Sequence, residues 1–428
     1  MAILQLLFRS FLLILCISLA CWISYASLSF LSSEHFIILS GTSNIDDQSI
    51  KCTDNSWPWN CLSNGSWILR DRITQDDIRR RREIDTSIQE YLGWPRSLFR
   101  QDKRCGKLFK IPRTSFPSLC DDSSDAPCCN EAKGFCGKGA DHCDCITCQD
   151  FSRYVSAEIA QWVPHSADCS GEEFSKNSAC DFLQKHISNL VFVGDSLIRH
   201  FFTAFAILVT DDYMRGALNT KLKSEILKMC EGEYQFIDHG KYNCHGVIAH
   251  AWDELDTNKV CDGTGIFKLS LVEAYSSNFV GHAIIAARKL LGKTGSVLIL
   301  GVGLHDSLNY REVIDNYLTP VLDVTKKNNT SGWPVIIWIT VPTPKNYLKS
   351  SIRRLERKTN LFNSKMKMFC NQNNISVFDT TAITNGIRSF DGRHYGFGGN
   401  MAKAQLLMRF LKLRTEKCHF LKRSKKLR

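Results

Sequence analysis

Residues 190–202 read LVFVGDSLIRHFF, and the fold turns on them. An apolar run stops at Gly194, an acid and a serine follow, and apolar residues then resume in a stretch that predicts a helix. A short apolar run without polar alternation is the pattern of a strand buried on both faces. Asp195 and Ser196 therefore stand where a strand turns into a helix. Two readings of that turn are open. Either side chain can cap the helix by accepting one of its first N–H groups. Alternatively, Ser196 is a nucleophile at a helix N-terminus, where unpaired N–H groups face a developing negative charge.

Working outward, three later runs share the texture: SVLILGVG at Ser296–Gly303, PVIIWITVP at Pro334–Pro342 and ISVFDTT at Ile375–Thr381. Helix-like segments lie between and after them, at Leu197–Val209, Arg311–Lys327, Ile352–Gln372 and Asn400–Leu413. Alternating strand and helix predicts an α/β fold, a three-layer α/β/α sandwich on a mainly parallel sheet. Ligands in such folds sit beyond the carboxyl ends of the strands. Polar clusters occur at those places: GDS, GVGLHD and, after a longer loop, FDGRHYGFGGN.

A serine hydroxyl needs a base to become a nucleophile. Asp391 and His394, in DGRH, can lie side by side on a loop or first helical turn. The carboxylate would then set the imidazole tautomer and leave the other ring nitrogen for the serine. In GVGLHD, Gly301 and Gly303 allow close approach of backbone to a ligand, and His305 can offer a donor to the same pocket. Each cluster taken alone also fits an ordinary turn, cap or surface loop.

In this order the clusters resemble the GDSL/SGNH hydrolase superfamily. The resemblance implies that Ser196 is the nucleophile and that Asp391 and His394 are the acid–base pair. It also implies an oxyanion site made by the Ser196 N–H with Gly303, His305 or nearby backbone. The superfamily's middle block is usually Gly-x-Asn-Asp, whereas this chain has Gly303-Leu304-His305-Asp306. Its second-block glycine would be Gly240 or Gly246. Three further stretches are similar to the PC-esterase family, which includes trichome-birefringence-like and sialate O-acetyltransferases: NGSWILRD (Asn64–Asp71), WVPHSADC (Trp162–Cys169) and the segment from Cys180 to Phe202. Arg199, three residues after the serine, matches an arginine of that family; it would pair with Asp195 or bind an acidic substrate. The resemblance implies an O-acetyltransferase or acetylesterase acting on a glycan or polysaccharide, transfer being favoured. It implies no bound cofactor and no metal, only an acetyl donor such as acetyl-CoA or an acetylated intermediate. A catalytically inactive glycan- or protein-binding module is the alternative.

The rest of the chain bears on compartment. From Ser10 to Ser33 there are 24 residues without a charge, enough to span a bilayer. Arg9 precedes them, so the bulk of the chain is expected in the lumen of a Golgi or other secretory membrane, as a single-pass type II protein. A cleaved signal peptide, with SYA at Ser24–Ala26 as the cleavage site, would make the protein secreted. Of the 19 cysteines, 17 lie beyond the apolar segment, and in an oxidising compartment they read as disulfides with one thiol left over. Cys128, Cys129, Cys136, Cys143, Cys145 and Cys148 with His142 do not form two clean zinc-type pairs. Asn64, Asn328, Asn329 and Asn374 are glycosylation acceptors. The net charge of +11 owes part of its excess to LKRSKKLR at the C-terminus, which reads as a solvated tail and not as a nucleic-acid surface. The expected organisation is an anchor at 1–33, a stem at 34–60, a Cys-rich segment at 61–185 packed on the catalytic domain, that domain at 186–415, and a basic tail at 416–428.

Overall fold

The computed structural model describes residues 57–92, parts of 102–138, and 155–237, 244–264, 267–327, 332–343 and 352–426. The expected anchor lies outside these residues, as do most of the stem, His142, Cys143, Cys145, Cys148, Gly240, Asn328 and Asn329. Among the described residues no helix is long and apolar enough to cross a membrane.

Before the main sheet, the chain forms helix α1 (Trp57–Ser63), strand β1 (Gly65–Leu69), helix α2 (Gln75–Leu92), strand β2 (Ala160–Pro164) and helix α3 (Lys176–His186). β1 and β2 pair antiparallel with Trp67 opposite Trp162, so NGSWILRD and WVPHSADC are neighbours in space. The Cys61–Cys169 disulfide joins the ends of this unit. In sequence between α2 and β2 lie two short hairpins, Leu108–Ile111 with Thr114–Pro117 and Cys128–Asn130 with Phe135–Gly137, and Cys105–Cys129 and Cys120–Cys136 tie the flanks of the first to the second.

The main sheet has five parallel strands: β3 (Asn189–Gly194), β4 (Lys268–Glu273), β5 (Ser296–Gly301), β6 (Val335–Ile339) and β7 (Ser376–Phe378). Their spatial order is β7-β6-β5-β3-β4. The chain begins in the middle, steps to one edge and then returns across to the other. That order reverses between β3 and β5, and the crevice at such a switch point is where open α/β sheets bind ligands.

Alternate residues of each strand face opposite cores, as the two-residue period of a strand requires. Leu190, Phe192, Ile299 and Phe378 face a core closed by α4 (Ser196–Thr210) and α8 (Phe397–Lys426). Val191, Val193, Leu298 and Trp338 face a second core, closed by α5 (Val280–Leu290), α6 and α7 (Ile352–Gln372). α6 comprises Tyr310–Val313, one π-type turn at Ile314–Leu318, and Thr319–Lys327. These two cores make the three-layer sandwich that the sequence predicts.

Two elements are new relative to the sequence reading. β4 sits at the edge of the sheet, and KLSLVE alternates in burial, so it lacks the continuous apolar run of its neighbours. α5 follows it directly. At the other end, α8 continues past Leu413 to Lys426 as one helix.

Candidate active site

The Gly194–Ser196 turn lies at the sheet's switch point. A Cβ on Gly194 would fall 2.1 Å from the Gly301 carbonyl oxygen, so β3 and β5 meet here backbone against backbone. Asp195 then takes the N-cap of α4, and its Oδ1 accepts the Leu197 N–H at 3.0 Å. The capping reading holds for Asp195, and the Ser196 hydroxyl takes no part in the cap. The Oδ2 of Asp195 is buried without a hydrogen-bond partner. Burial drives this carboxyl up to about 7, against the lowering effects of the Leu197 N–H and the nearby positive groups.

The acid–base loop folds on itself. Asp391 Oδ1 accepts the N–H groups of Arg393 (2.8 Å) and His394 (2.7 Å). Ser389 Oγ accepts the Gly392 N–H at 2.9 Å and donates to the His394 carbonyl at 2.6 Å. Gly392 supplies the positive φ (87°) that this tight path needs. Asp391 Oδ2 lies 2.6 Å from His394 Nδ1, and His394 Nε2 lies 2.7 Å from Ser196 Oγ, across 198 positions of sequence. Burial pushes the Asp391 carboxyl up, but the His394 ring and the loop's N–H groups outweigh it and hold the pKa below the usual carboxylate value. An ionised Asp391 favours the proton on Nδ1, which leaves the Nε2 lone pair facing the serine. Phe390 stacks on the His394 ring (centroids 6.0 Å, planes 15° apart), and the buried His200 ring packs at 5.0 Å.

Two expected roles are corrected. Arg199 pairs with Glu273 at 2.8 Å and not with Asp195. It is 1% exposed, so its guanidinium offers nothing to an acidic substrate. Glu273 ends β4, and its other oxygen accepts the Tyr275 hydroxyl at 2.9 Å. Burial raises its pKa, but the His250 ring 4.0 Å away and the Arg199 hydrogen bond bring the carboxyl down to about 2. His305, expected at the oxyanion, is exposed, with its ring edge-on to Tyr275 at 5.6 Å and no hydrogen bond to Ser196. The built-in member of GLHD is Asp306, whose Oδ1 accepts both the N–H and the hydroxyl of Ser277 at 2.8 Å. Gly303 has a φ of 141°, and a Cβ there would strike the Phe362 ring at 2.5 Å. The Ser196 N–H stands at the start of α4, where no intrahelical acceptor exists. Gly246 has open space around its Cβ position, so no close approach calls for glycine there.

Sequence reasoning missed the supports beneath His394. α8 begins three residues after it, and two buried carboxylates from distant segments take that helix's first N–H groups. Glu233 accepts from Phe397 at 2.8 Å and Glu158 from Gly398 at 3.2 Å. Burial, and then the neighbouring Glu158, pushes Glu233 well above the usual carboxylate range. Neither acid sits in a recognisable motif, and only their burial identifies them.

Five disulfides are formed among the described residues: the three above, Cys180–Cys261 and Cys230–Cys244. Cys370 is a free, buried thiol. Cys105, Cys120 and Cys129 lie close together, but each is disulfide-bonded and has no thiolate to give a metal. Asn64 and Asn374, two of the glycosylation acceptors, are exposed.

No family model matches the chain, and no curated protein matches it. Among solved structures, it is similar to a member of the lipolytic protein G-D-S-L family from Veillonella parvula DSM 2008 at 12% identity, covering 53% of this chain and 96% of that one, with a TM-score of 0.27. It is likewise similar to a variant of an acetyl xylan esterase from Geobacillus stearothermophilus at 14% identity, with 53% and 96% covered and a TM-score of 0.29. Neither likeness is close enough to bear on the reaction.

Proposed function

We propose that the protein is an SGNH-type, PC-esterase-like acyltransferase or esterase that moves an acetyl group on or off a glycan through a Ser196 acyl-enzyme. The observation that carries the reading is the hydrogen-bonded chain Ser196 Oγ–His394–Asp391, at 2.7 and 2.6 Å. As Ser196 Oγ attacks the acyl carbon, its proton passes to His394 Nε2, and Asp391 stabilises the imidazolium that forms. The carbonyl oxygen becomes a tetrahedral oxyanion facing the Ser196 N–H. Collapse breaks the bond to the leaving oxygen or sulfur, which takes the proton from His394. A second hydroxyl then loses its proton to His394 and attacks the acyl-enzyme, and Ser196 recovers a proton as the product leaves. Water as the second nucleophile gives a hydrolase, whereas a sugar hydroxyl gives a transferase.

Transfer is the favoured branch, with acetyl-CoA or an acetylated intermediate as donor and no resident cofactor. The residues offered as machinery are Ser196, His394 and Asp391. The five disulfides support an oxidising compartment. With the apolar N-terminal stretch, they support a reading in which the protein sits on a Golgi or other secretory membrane with its catalytic domain in the lumen.

The test is covalent. A fluorophosphonate probe should label Ser196, as read by peptide mass spectrometry, and Ser196→Ala should abolish both labelling and p-nitrophenyl acetate hydrolysis. A hydrolysis rate that survives the substitution would overturn the reading.

A further inference from the structure

Just past the carboxyl ends of β4 and β5, on chain tied to the nucleophile turn, lie rings that the reaction does not use. His305, Tyr275, Phe279 and His282 form a continuous run, with successive ring centroids at 5.6, 6.2 and 5.6 Å. Phe279 is 40% exposed, and His282 and His305 are exposed as well. Phe279 between the two imidazoles and the Tyr275 hydroxyl offers a ligand an apolar face flanked by polar atoms.

Their position relative to Ser196 follows from strand register. Gly194 lies opposite Glu273 in the β3–β4 pair, so Tyr275 and Ser196 each stand two residues beyond matched positions. The segment carrying the rings is tied to the catalytic turn at several points. Ala274 N–H donates to the Gly194 carbonyl at 2.8 Å, the Tyr275 hydroxyl donates to Glu273, and Ser277 is held by Asp306. His282 Nδ1 lies 3.2 Å from the Glu273 carbonyl, which fixes the far end of the run. The rings are thus anchored to the strand that delivers the nucleophile and do not ride on an independent loop.

We infer that this run is the subsite for the sugar ring that bears or receives the acyl group, an inference that rests on the acyl-transfer reading above. A pyranose presents C–H groups on its faces and hydroxyls at its rim. Aromatic faces bury the former, while imidazole nitrogens and the partly exposed Glu273 carboxylate can bond the latter. The run therefore suits a neutral glycan. The buried cation next to Tyr275, Arg199, is already committed to Glu273 and leaves no charge for an anionic sugar.

The test compares wild-type protein with Phe279→Ala and His305→Ala on two esters. One is p-nitrophenyl acetate, which has no sugar, and the other is methyl 6-O-acetyl-β-D-glucopyranoside, whose remaining hydroxyls are free. The expected result is a fall in kcat/KM for the sugar ester that exceeds any fall for p-nitrophenyl acetate by about 5-fold, chiefly through KM, with recovery in Phe279→Trp. Equal change on both esters, or no change on either, overturns the subsite. Saturation-transfer NMR of the same sugar acetate with Ser196→Ala protein reads the subsite without chemistry. A signal that weakens when Phe279→Ala is added supports it, and no signal overturns it. If Ser196→Ala still hydrolyses p-nitrophenyl acetate while the NMR signal depends on Phe279, the nucleophile assignment fails and the sugar subsite stands.

Discussion

The nucleophile turn and the acid–base loop are held in place by different means. At Gly194–Ser196 nearly every contact is local or belongs to the sheet: a strand, a glycine at the β3–β5 contact, and an aspartate cap on the helix that follows. The Ser389–His394 loop is also internally bonded, through Ser389 and Asp391. Its placement, however, depends on Glu158 and Glu233, which reach the start of α8 from positions more than 160 residues upstream in sequence. A nucleophile can be delivered by a strand end alone. The base must be brought to it, and the chain uses buried carboxylates to do so.

The predictions probe that difference. The largest effect belongs to the nucleophile itself. Ser196→Ala should lower kcat/KM for an acetyl ester by about 10⁴-fold or more with the melting temperature little changed, as steady-state kinetics and calorimetry would show. Asp391→Asn should cost about 10²- to 10⁴-fold, because the carboxylate that sets the imidazole tautomer is lost. If that variant keeps near wild-type rates, the loop is not delivering a base.

Stability variants come next. Arg199→Ala leaves Glu273 without its buried partner and should destabilise the fold by about 3 kcal/mol in urea titration, whereas Arg199→Met should cost less. Glu233→Ala should cost about 1–3 kcal/mol and also slow acyl transfer, because the N–H groups of α8 lose an acceptor and His394 shifts. A Glu233→Ala protein that loses stability but keeps its full rate would show that the clamp serves folding only.

The smallest effect is with pH. The folded-state pKa of Glu273, about 2, lies below its ordinary value of 4.5. Its contribution is therefore fully present above about pH 4.5 and is lost as pH falls towards 2. Glu273→Gln should flatten this acid limb, with a difference from wild type near 1 kcal/mol at pH 5 that shrinks by pH 3, measured by urea midpoints. A constant difference across that range would mean the pair contributes through packing and not through charge.

Much of the site was legible before any fold was seen. Ser196, Asp391 and His394 were identifiable because each sits in a short motif whose local geometry is part of its chemistry. Arg199 shows the limit. Its position one helical turn past the serine was readable, but its partner was not, since Glu273 lies in an edge strand whose alternating pattern gave no strong strand signal. His305 fails for a related reason. The motif position was readable, yet the inward member of the block is Asp306, which holds Ser277, while His305 is exposed against Tyr275.

The chain alone was enough to read the α/β class, the strand-to-helix turn at Ser196 and the pairing of Asp391 with His394. These depend on burial pattern, chain reversal and hydrogen bonds within a few residues, which leave a local trace. Only the tertiary structure decided the strand order, the Arg199–Glu273 pair, the carboxylate clamp on α8 and the ring run past β4 and β5. Those contacts join residues far apart along the chain, and no short segment carries a record of which distant partner will meet it.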